Sequence, residues 1–352
     1  MYYNSTGISI KLGNSLGKGS AGEVFLHAND KSKAIKIFHP EYLQKEITLV
    51  SRIEKFYKLE QFADFNISYG TISRSVGSWP NDIVKDRNGK IVGYMMNTVN
   101  NGIGLSEIIF AYDDQKAFHK YKKDSVRYKL WMETFFYDSD HLRNRFILSY
   151  SLANSFDKIY NIKSKHGAPI QLDVCNFDIK PLNILVSIEN NTHKNIVPFI
   201  LDLDNLTLKN STGKLGPTHA QYTPEYKAPE GPLDKYYDYY SIAVIFYQLI
   251  FSTHPFTVTG GTRFTDGIST EFYVKNKCFA WGRNRKFLHE ETIKDHRHNN
   301  FKQISTGLQK LFTRAFDSDF PSNRPSMAEW KKEFELFIYD KNTKFNSLFT
   351  FR

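Results

Sequence analysis

The sequence predicts an α+β fold in two parts, a small antiparallel sheet with one helix followed by a larger, mainly helical part. Short alternating segments fill the first hundred residues, and helical periodicity dominates from about residue 101. A glycine-rich stretch, LGKGSAGEV at 16–24, stands between two of the early strand-like segments. These observations divide the chain into one domain at 1–99 and one at 100–345, with a hinge near 97–101.

The elements of the first part are predicted from local pattern. Alternation predicts strands at 8–12, 23–27 and 33–38. Asn88-Gly89 lies between two further strand-like runs within 81–99 and is a strong hairpin signal. One helix is expected at 41–53, after Pro40, because its apolar residues recur at helical intervals.

The second part combines amphipathic helices with two short strands. Helices are predicted at 142–162, 238–251, 301–316 and 326–339, and strands at 183–186 and 197–204. The segments 111–140 and 257–300 have weak periodicity, and we interpret them as insertions or irregular loops.

Composition restricts the function classes. The chain has 352 residues, 41% hydrophobic and 24% charged, which excludes disorder as the default. Its net charge of +10 favours contact with anions such as nucleotides, although a diffusely basic surface is the simpler interpretation, and no specific nucleic-acid signal accompanies it. Cys175 and Cys278 form no disulfide framework. The absence of a signal peptide or a membrane-length apolar run predicts a cytoplasmic protein, with signal-free secretion left open.

The glycine-rich stretch places Gly17, Gly19 and Gly22 between two strands. Glycines at this spacing let a backbone turn approach phosphate oxygens, with its amides free to donate. A plain glycine hairpin is the alternative interpretation. Because a strand follows rather than a helix, the pattern argues against a dinucleotide-binding turn. Val24 would then pack over a nucleotide base.

Lys36 lies in the middle of the apolar strand KAIKIF. Its ammonium either points to solvent or binds an anion, in which case Glu46 on the next helix is a candidate to orient it. Ala34, two residues earlier on the same face, is small enough to lie beside a flat ring.

The stretch DIKPLNILV, at 178–186, places Asp178, Lys180 and Asn183 directly before a strand. Asp178 could accept a proton from a hydroxyl, and Lys180 could neutralise a transferring phosphoryl group. Asn183, together with Asp202 at the end of the next strand, provides hard oxygen ligands of the kind that Mg²⁺ prefers. A turn or capping role is the alternative for Asp178 alone.

The order of these elements resembles that of the eukaryotic-like Ser/Thr protein kinases, in the bacterial kinase-like form in which a Trp-Pro precedes the hairpin, and the resemblance covers most of the chain. It implies a bilobal protein kinase-like fold. It also implies a back-pocket position for Met96 and adenine recognition by the backbone of Asn97 and Val99. In the C-terminal part it assigns a substrate segment, TPEYKAPE, and its supports to Thr223, Glu230, Asp238 and Arg324.

This resemblance implies an ATP- and Mg²⁺-dependent kinase, with Mn²⁺ as an alternative metal, acting on a protein substrate through Ser or Thr hydroxyls. Lys36 would position the α- and β-phosphates. Asn183 and Asp202 would hold the metal, and Asp178 would orient the acceptor hydroxyl.

Three departures from the family pattern qualify this expectation. Asn176-Phe177 replaces His-Arg before Asp178, which predicts that activity does not require activation-loop phosphorylation. Asp204 replaces a glycine after Asp202-Leu203, and a turn-capping role is favoured for it over metal binding. The short gap between Lys36 and Glu46 leaves Glu41 as an alternative residue to pair with Lys36. It also suggests that an activating partner protein holds the helix.

Autophosphorylation is expected between Asp202 and Glu230, where the candidates are Thr207, Ser211, Thr212, Thr218, Tyr222 and Thr223.

Two other functions remain open from the sequence. A pseudokinase would bind nucleotide or a partner without catalysis, and a small-molecule kinase would share the Asp, Asn and Asp core. Retention of Lys36, Asp178 and Asp202 argues against the first, and the TPEYKAPE segment argues against the second.

Overall fold

The structure is a computed structural model of the chain. It describes residues 1–69, 72–99, 102–110, 130–137, 139–176, 178–189, 195–210, 213–217, 222–231, 234–263, 269–289 and 296–348. The chain divides into two compact units, and each unit is assembled from three separate segments. Unit 1 comprises Met1–Gly102, Lys158–Asn176 and Phe199–Gln221; unit 2 comprises Ile103–Asp157, Phe177–Pro198 and Tyr222–Arg352.

Unit 1 is built on a seven-stranded sheet. All six neighbouring strand pairs in this sheet are antiparallel, which confirms the predicted sheet type. The strands are β1 (Tyr2–Tyr3), β2 (Ser9–Ile10), β3 (Leu12–Lys18), β4 (Gly22–His27), β5 (Lys33–Phe38), β8 (Asp82–Lys85) and β9 (Ile91–Asn97). Their order across the sheet is β2-β1-β8-β9-β5-β4-β3. The hairpin between β8 and β9 turns at Gly89, whose φ of 77° only glycine adopts easily.

The single helix predicted at 41–53 is wrong. The structure has two helices there, α1 (Pro40–Lys45) and α2 (Leu49–Phe62). Glu46 has a non-helical backbone with ψ 75°, and the hydroxyl of Thr48 donates a hydrogen bond to the carbonyl oxygen of Gly216 at 2.6 Å. This break turns Glu46 into the protein and leaves Ile47 76% exposed, so tertiary contacts override the local periodicity.

The two later segments of unit 1 explain why it differs from the predicted division at residue 99. The strand β11 (Asp173–Cys175) pairs with β14 (Thr207–Asn210), which in turn pairs with β15 (Gly213–Leu215). Gly77 forms a bridge with Ile200, the last residue of β13 (Ile196–Ile200). A two-stranded sheet of β6 (Asn66–Tyr69) and β7 (Ile72–Ser75) completes the unit. These pairings join residues that are far apart in sequence. A single domain boundary at residue 99 therefore does not describe the two units.

Unit 2 is mainly helical, and the four predicted helices are present with small shifts at their ends. Its helices are α3 (Leu105–Phe110), α4 (His141–Tyr160, whose last three residues belong to unit 1), α5 (Lys235–Phe251), α6 (Thr270–Lys275), α7 (His296–Asn299), α8 (Thr306–Asp317), α9 (Met327–Tyr339) and α10 (Phe345–Leu348). The strand β12 (Ile184–Ile188) pairs with β10 (Ile103–Gly104). Much of the expected insertion at 111–140 lies outside the described residues.

Helix α5 is the centre of the unit 2 core. All of its residues from Tyr237 to Phe251 are buried. Phe246 contacts Trp330 of α9 with 5.2 Å between ring centroids, and Tyr247 contacts Phe312 of α8 at 5.4 Å. Edge-to-face aromatic packing of this kind fixes the positions of helices around a central one.

The predicted α+β class, with an antiparallel sheet in the N-terminal part and helices in the C-terminal part, is confirmed. In the part of the chain that the structure describes, no helix has the length and apolarity needed to cross a membrane.

Candidate functional site

Sheet register sets one face of the unit 1 sheet. Residues directly opposite in antiparallel strands share a face. Val24 pairs with Lys36 and Lys36 with Tyr94, so these three side chains lie in one row across β4, β5 and β9. Ala34 pairs with Met96 in the next row of the same face. Val24 and Ala34, the predicted neighbours of a flat ring, and Met96, the predicted back-pocket residue, therefore lie on the face that carries Lys36.

Lys36 is buried and binds two carboxylates. Its Nζ donates to Asp202 Oδ1 at 2.9 Å, and to both oxygens of Asp204 at 2.9 and 3.1 Å. The pair expected between Lys36 and Glu46 is replaced by these contacts. Glu46 instead lies 3.6 Å from Arg52, measured between Oε2 and Nη2, because the break after α1 carries it toward α2. Glu41, the alternative partner, lies in the first turn of α1 and is exposed.

The backbone of Asp202 aims both aspartates at Lys36. Its φ of 54° is in the left-handed region, which asparagine and aspartate tolerate better than other non-glycine residues. A single 3-10 turn, Leu203–Asn205, follows. Leu203 is fully buried beside Gly77. A Cβ added to Gly77 would lie 2.4 Å from the main-chain oxygen of Ile200 and 2.6 Å from Leu203 Cδ1, so glycine is required there. Strained backbone held by such packing is common at functional sites.

Asp204 does not have the expected turn-capping role. Its side chain is 1% exposed and accepts hydrogen bonds from Lys36 and from the hydroxyl of Tyr94, the latter at 3.0 Å. Its main-chain oxygen accepts from Nη1 of Arg52. We call Lys36, Arg52, Tyr94, Asp202 and Asp204 the lysine cluster.

Two members of the lysine cluster, Tyr94 and Arg52, were missed by sequence reasoning. Register along β5 and β9 would have identified Tyr94 as the neighbour of Lys36. Arg52 lies on the buried stripe of α2, next to Leu49, Ile53 and Phe56. A charged residue on an apolar helical stripe is a signal for a buried ion pair.

Burial and charge act on the cluster in opposite directions. Burial lowers the pKa of the Lys36 ammonium, but the attraction of Asp204 and Asp202 outweighs it and holds the pKa well above its ordinary value. Burial also raises the pKa of Tyr94 well above its ordinary value, reinforced by the charge of Asp204. Lys36 is therefore a cation and Tyr94 a neutral hydrogen-bond donor at neutral pH.

The three glycines of the β3–β4 hairpin have different environments. A Cβ at Gly22 would lie 2.2 Å from the carbonyl oxygen of Ile37, so the approach of β5 requires glycine there. A Cβ at Gly17 would meet nothing within 4 Å. The amide of Gly19 donates to the carbonyl oxygen of Gly22 at 2.9 Å and is not free for a phosphate, contrary to expectation. A Cβ at Gly19 would meet only the main-chain oxygen of Gly22, at 4.0 Å, so both Gly17 and Gly19 have open space beside them.

Asn97 and Val99 follow the strand that carries Met96. Asn97 ends β9, and its side-chain oxygen accepts hydrogen bonds from Lys33 at 2.8 Å and Asn81 at 3.0 Å. Val99 lies beyond the strand and is half-buried. Residues 100–101, part of the expected hinge, lie outside the described residues, as does Phe177.

In unit 2, Asp178 is the centre of a group that we call the aspartate cluster, with Lys180, Asn183 and Thr223. Lys180 Nζ donates to Asp178 Oδ2 at 2.8 Å, and the Thr223 hydroxyl donates to Oδ1 at 3.2 Å. Asn183 Nδ2 donates to the main-chain oxygen of Asp178 at 3.1 Å. Pro181 starts a 3-10 turn that ends at Asn183, and this turn brings the amide back to Asp178.

The remaining predicted residues are Glu230, Asp238 and Arg324, at or near the segment predicted to dock substrate. Arg324 binds both carboxylate oxygens of Glu230, with Nη1 on Oε1 and with Nη2 at 2.8 Å from Oε2. Its Nη1 also donates to the main-chain oxygen of Tyr236 at 2.8 Å. Asp238 is fully buried in the first turn of α5. This bidentate pair has the geometry of a strong, orientation-specific contact.

The formal charges of the lysine cluster indicate which carboxylate could bind a metal. The two positive charges of Lys36 and Arg52 are balanced by the two negative charges of Asp204 and Glu46, and these four side chains are nearly inaccessible to solvent. Asp202 adds one further negative charge. The side chain of Asp202 is 42% exposed. In unit 2, the contact of Asn183 through Nδ2 leaves its carbonyl oxygen as an acceptor. Each of these oxygens, taken by itself, is of the kind that Mg²⁺ prefers, and Mg²⁺ commonly uses few protein ligands together with substrate phosphates. Among the described residues, no group of three or more His, Cys, Asp or Glu could hold a metal by itself.

The chain is similar to a protein-family model and to solved structures. The family model described as "Protein kinase domain" matches residues 168–334. The structure is similar to a PknI kinase domain of Mycobacterium tuberculosis carrying two substitutions, at 12% sequence identity and a TM-score of 0.46, covering 94% of this chain and 95% of that chain. A search of curated protein sequences finds no match.

Proposed function

We propose that this chain, whose residues 168–334 match the protein kinase domain model, transfers the γ-phosphoryl group of ATP to Ser or Thr hydroxyls of proteins. The observation that carries the proposal is the hydrogen bonding of Asp178 to Lys180 and Thr223 in the aspartate cluster. A carboxylate held in place by a cation and a hydroxyl is suited to accept a proton from a hydroxyl that attacks a phosphoryl group.

Asp178 orients the acceptor hydroxyl and accepts its proton. Lys180, at 2.8 Å from Oδ2, neutralises charge on the phosphoryl group as it moves. Thr223 holds the other carboxylate oxygen, and so fixes the orientation of the acid while its own segment lies beside the acceptor. Positioning and charge stabilisation provide most of the catalysis in phosphoryl transfer.

Lys36 binds the α- and β-phosphates of ATP, and Val24 and Ala34 contact the base. Met96 lies beside the back pocket, and the backbone of Asn97 and Val99 reads the edge of the base. Asn183 and Asp202 are the proposed metal ligands. Mg²⁺ bound there would neutralise phosphate charge, and Mn²⁺ would serve in the same way.

Autophosphorylation between Asp202 and Glu230 is part of the proposal. Thr207 is 2% exposed within β14, which removes it from the accessible acceptors. Ser211, Thr212 and Thr218 lie outside the described residues. The proposed activity does not depend on phosphate at these positions, because no arginine precedes Asp178 to bind it.

The experiment that tests the proposal is transfer of labelled γ-phosphate from Mg-ATP to the chain and to a basic protein acceptor. We expect labelled Ser and Thr with the native chain, and a loss of about 100-fold or more with Asp178→Asn. Asp173→Asn is the matched control, because Asp173 is an exposed carboxylate five residues earlier. Equal transfer by native and Asp178→Asn chains would overturn the catalytic role. ATP binding without any transfer by the native chain would count against the proposal and favour a pseudokinase, a missing activating partner or a small-molecule acceptor.

A further inference from the structure

We infer that Asp204, and not a helix glutamate, is the residue that positions Lys36 for nucleotide phosphates. The inference rests on the proposed function, since it concerns the phosphate-binding lysine of the same site. It assigns Asp204 a role that neither metal binding nor turn capping describes.

The contacts of Lys36 carry the first step. Both oxygens of Asp204 lie within 3.1 Å of Lys36 Nζ, whereas Asp202 contributes one oxygen at 2.9 Å. The Tyr94 hydroxyl binds Oδ1 of Asp204 from the neighbouring strand at 3.0 Å. The carboxylate is therefore held in one orientation, with both oxygens directed at the lysine.

The difference in burial separates the roles of the two aspartates. The side chain of Asp204 is 1% exposed and that of Asp202 is 42% exposed. An enclosed carboxylate without a cation is costly, so Asp204 keeps Lys36 as its partner. Asp202 can turn toward a ligand at the surface while Lys36 stays bound to Asp204.

The backbone of Asp204 is fixed independently of its side chain. Arg52 donates to its main-chain oxygen, and Leu203, just before it, packs against Gly77. Arg52 also lies beside Glu46, with 3.6 Å between Nη2 and Oε2. Glu46 therefore reaches Asp204 only through Arg52. In the expected arrangement, Glu46 would instead contact Lys36 directly.

A double-substitution cycle tests this role. ATP affinity is measured by fluorescence titration with Mg-ATP for the native chain, Asp204→Asn, Lys36→Ala and the double variant. If Asp204 acts through Lys36, Asp204→Asn weakens affinity about 10-fold in the native background and less than about 2-fold when Lys36 is absent. Glu46→Gln is expected to weaken affinity less than Asp204→Asn does. Asp64→Asn, which removes an ion pair with Lys158 elsewhere in unit 1, is the control and leaves affinity unchanged.

Several outcomes would overturn the inference. Equal loss in both Lys36 backgrounds would mean that Asp204 supports the fold alone, and no loss in the native background would remove its role. If Asp204→Asn does not fold, Tyr94→Phe takes its place, because it removes only the hydroxyl bond to Asp204. We then expect a loss of about 3-fold that disappears with Lys36→Ala, and its persistence would overturn the inference. Failure of the native chain to bind ATP would instead overturn the proposed function, and the inference with it.

Discussion

Arg52 donates a hydrogen bond from Nη1 to the main-chain oxygen of Asp204, which joins α2 to the turn after β13. Its Nη2 lies 3.6 Å from a carboxylate oxygen of Glu46. One buried guanidinium therefore connects the break between α1 and α2 to the segment that holds Lys36. This contact gives Glu46 a structural role that differs from direct pairing with the lysine.

The first prediction concerns this guanidinium. Arg52→Met should lower the free energy of unfolding by about 3–5 kcal/mol, because the buried carboxylate of Glu46 would lose the neighbouring guanidinium charge. Denaturant unfolding measures the change. Arg74→Met, at an exposed arginine, should change stability by less than about 0.5 kcal/mol. A loss below 1 kcal/mol for Arg52→Met would contradict the assigned role.

The second prediction concerns the fork between Arg324 and Glu230. Arg324→Lys should cost about 1–3 kcal/mol of stability, because an ammonium cannot reproduce the two parallel hydrogen bonds in this half-buried site. The matched control is Arg314→Lys, at an ion pair whose two side chains are each 43% exposed. Exposed pairs contribute little, so the control should stay within about 0.5 kcal/mol. Equal costs at the two positions would refute the prediction.

The third prediction compares two glycines of the β3–β4 hairpin. Gly22→Ala should destabilise the chain by about 3 kcal/mol, because the new Cβ would lie 2.2 Å from the carbonyl oxygen of Ile37. Gly17→Ala should leave the unfolding free energy within about 0.5 kcal/mol, since its Cβ would enter open space. Thermal and denaturant unfolding of both variants check the contrast, and similar behaviour would show that the strand spacing is not the reason for Gly22.

The fourth prediction is a pH dependence from His254. Its Nδ1 accepts from the amide of Phe256 at 3.3 Å, so Nε2 carries the proton and donates to the carbonyl oxygen of Glu225 at 2.9 Å. Burial, with a smaller contribution from His298, lowers the pKa of the ring to about 4 from an ordinary value of 6.5. The neutral ring thereby holds the segment next to Thr223.

The sign follows from the two pKa values. Between pH 6.5 and 4 the unfolded chain binds a proton that the folded chain does not, so stability falls as the pH falls. The contribution is complete above pH 6.5 and lost below pH 4. Because part of the ring is exposed, the loss should stay below the roughly 3 kcal/mol that a shift of this size gives an enclosed group. Unfolding at pH 7.5, 5.5 and 4.5, chosen as rough points across this window, should show a shallower slope for His254→Gln. Identical slopes would rule out this histidine.

The sequence by itself determined the elements and most of the candidate residues. Alternation predicted β4 and β5, and helical periodicity predicted α4, α5, α8 and α9, because each pattern reflects which side chains share a face within one element. The strand predicted at 8–12 instead divides between β2 and the start of β3. The spacing of Asp178, Lys180 and Asn183 identified the aspartate cluster, since a short turn keeps residues close in sequence also close in space.

Only the tertiary structure decided the partner of Lys36. Asp204 is 168 residues away from it, and their contact depends on the left-handed backbone of Asp202 and on the packing of Leu203. The break at Glu46 likewise arises from contacts of distant segments, with Thr48 bound to Gly216 and Arg52 to Asp204. Local pattern carries no information on such pairings, because they are set by the free energy of burying charges together rather than by the periodicity of either segment.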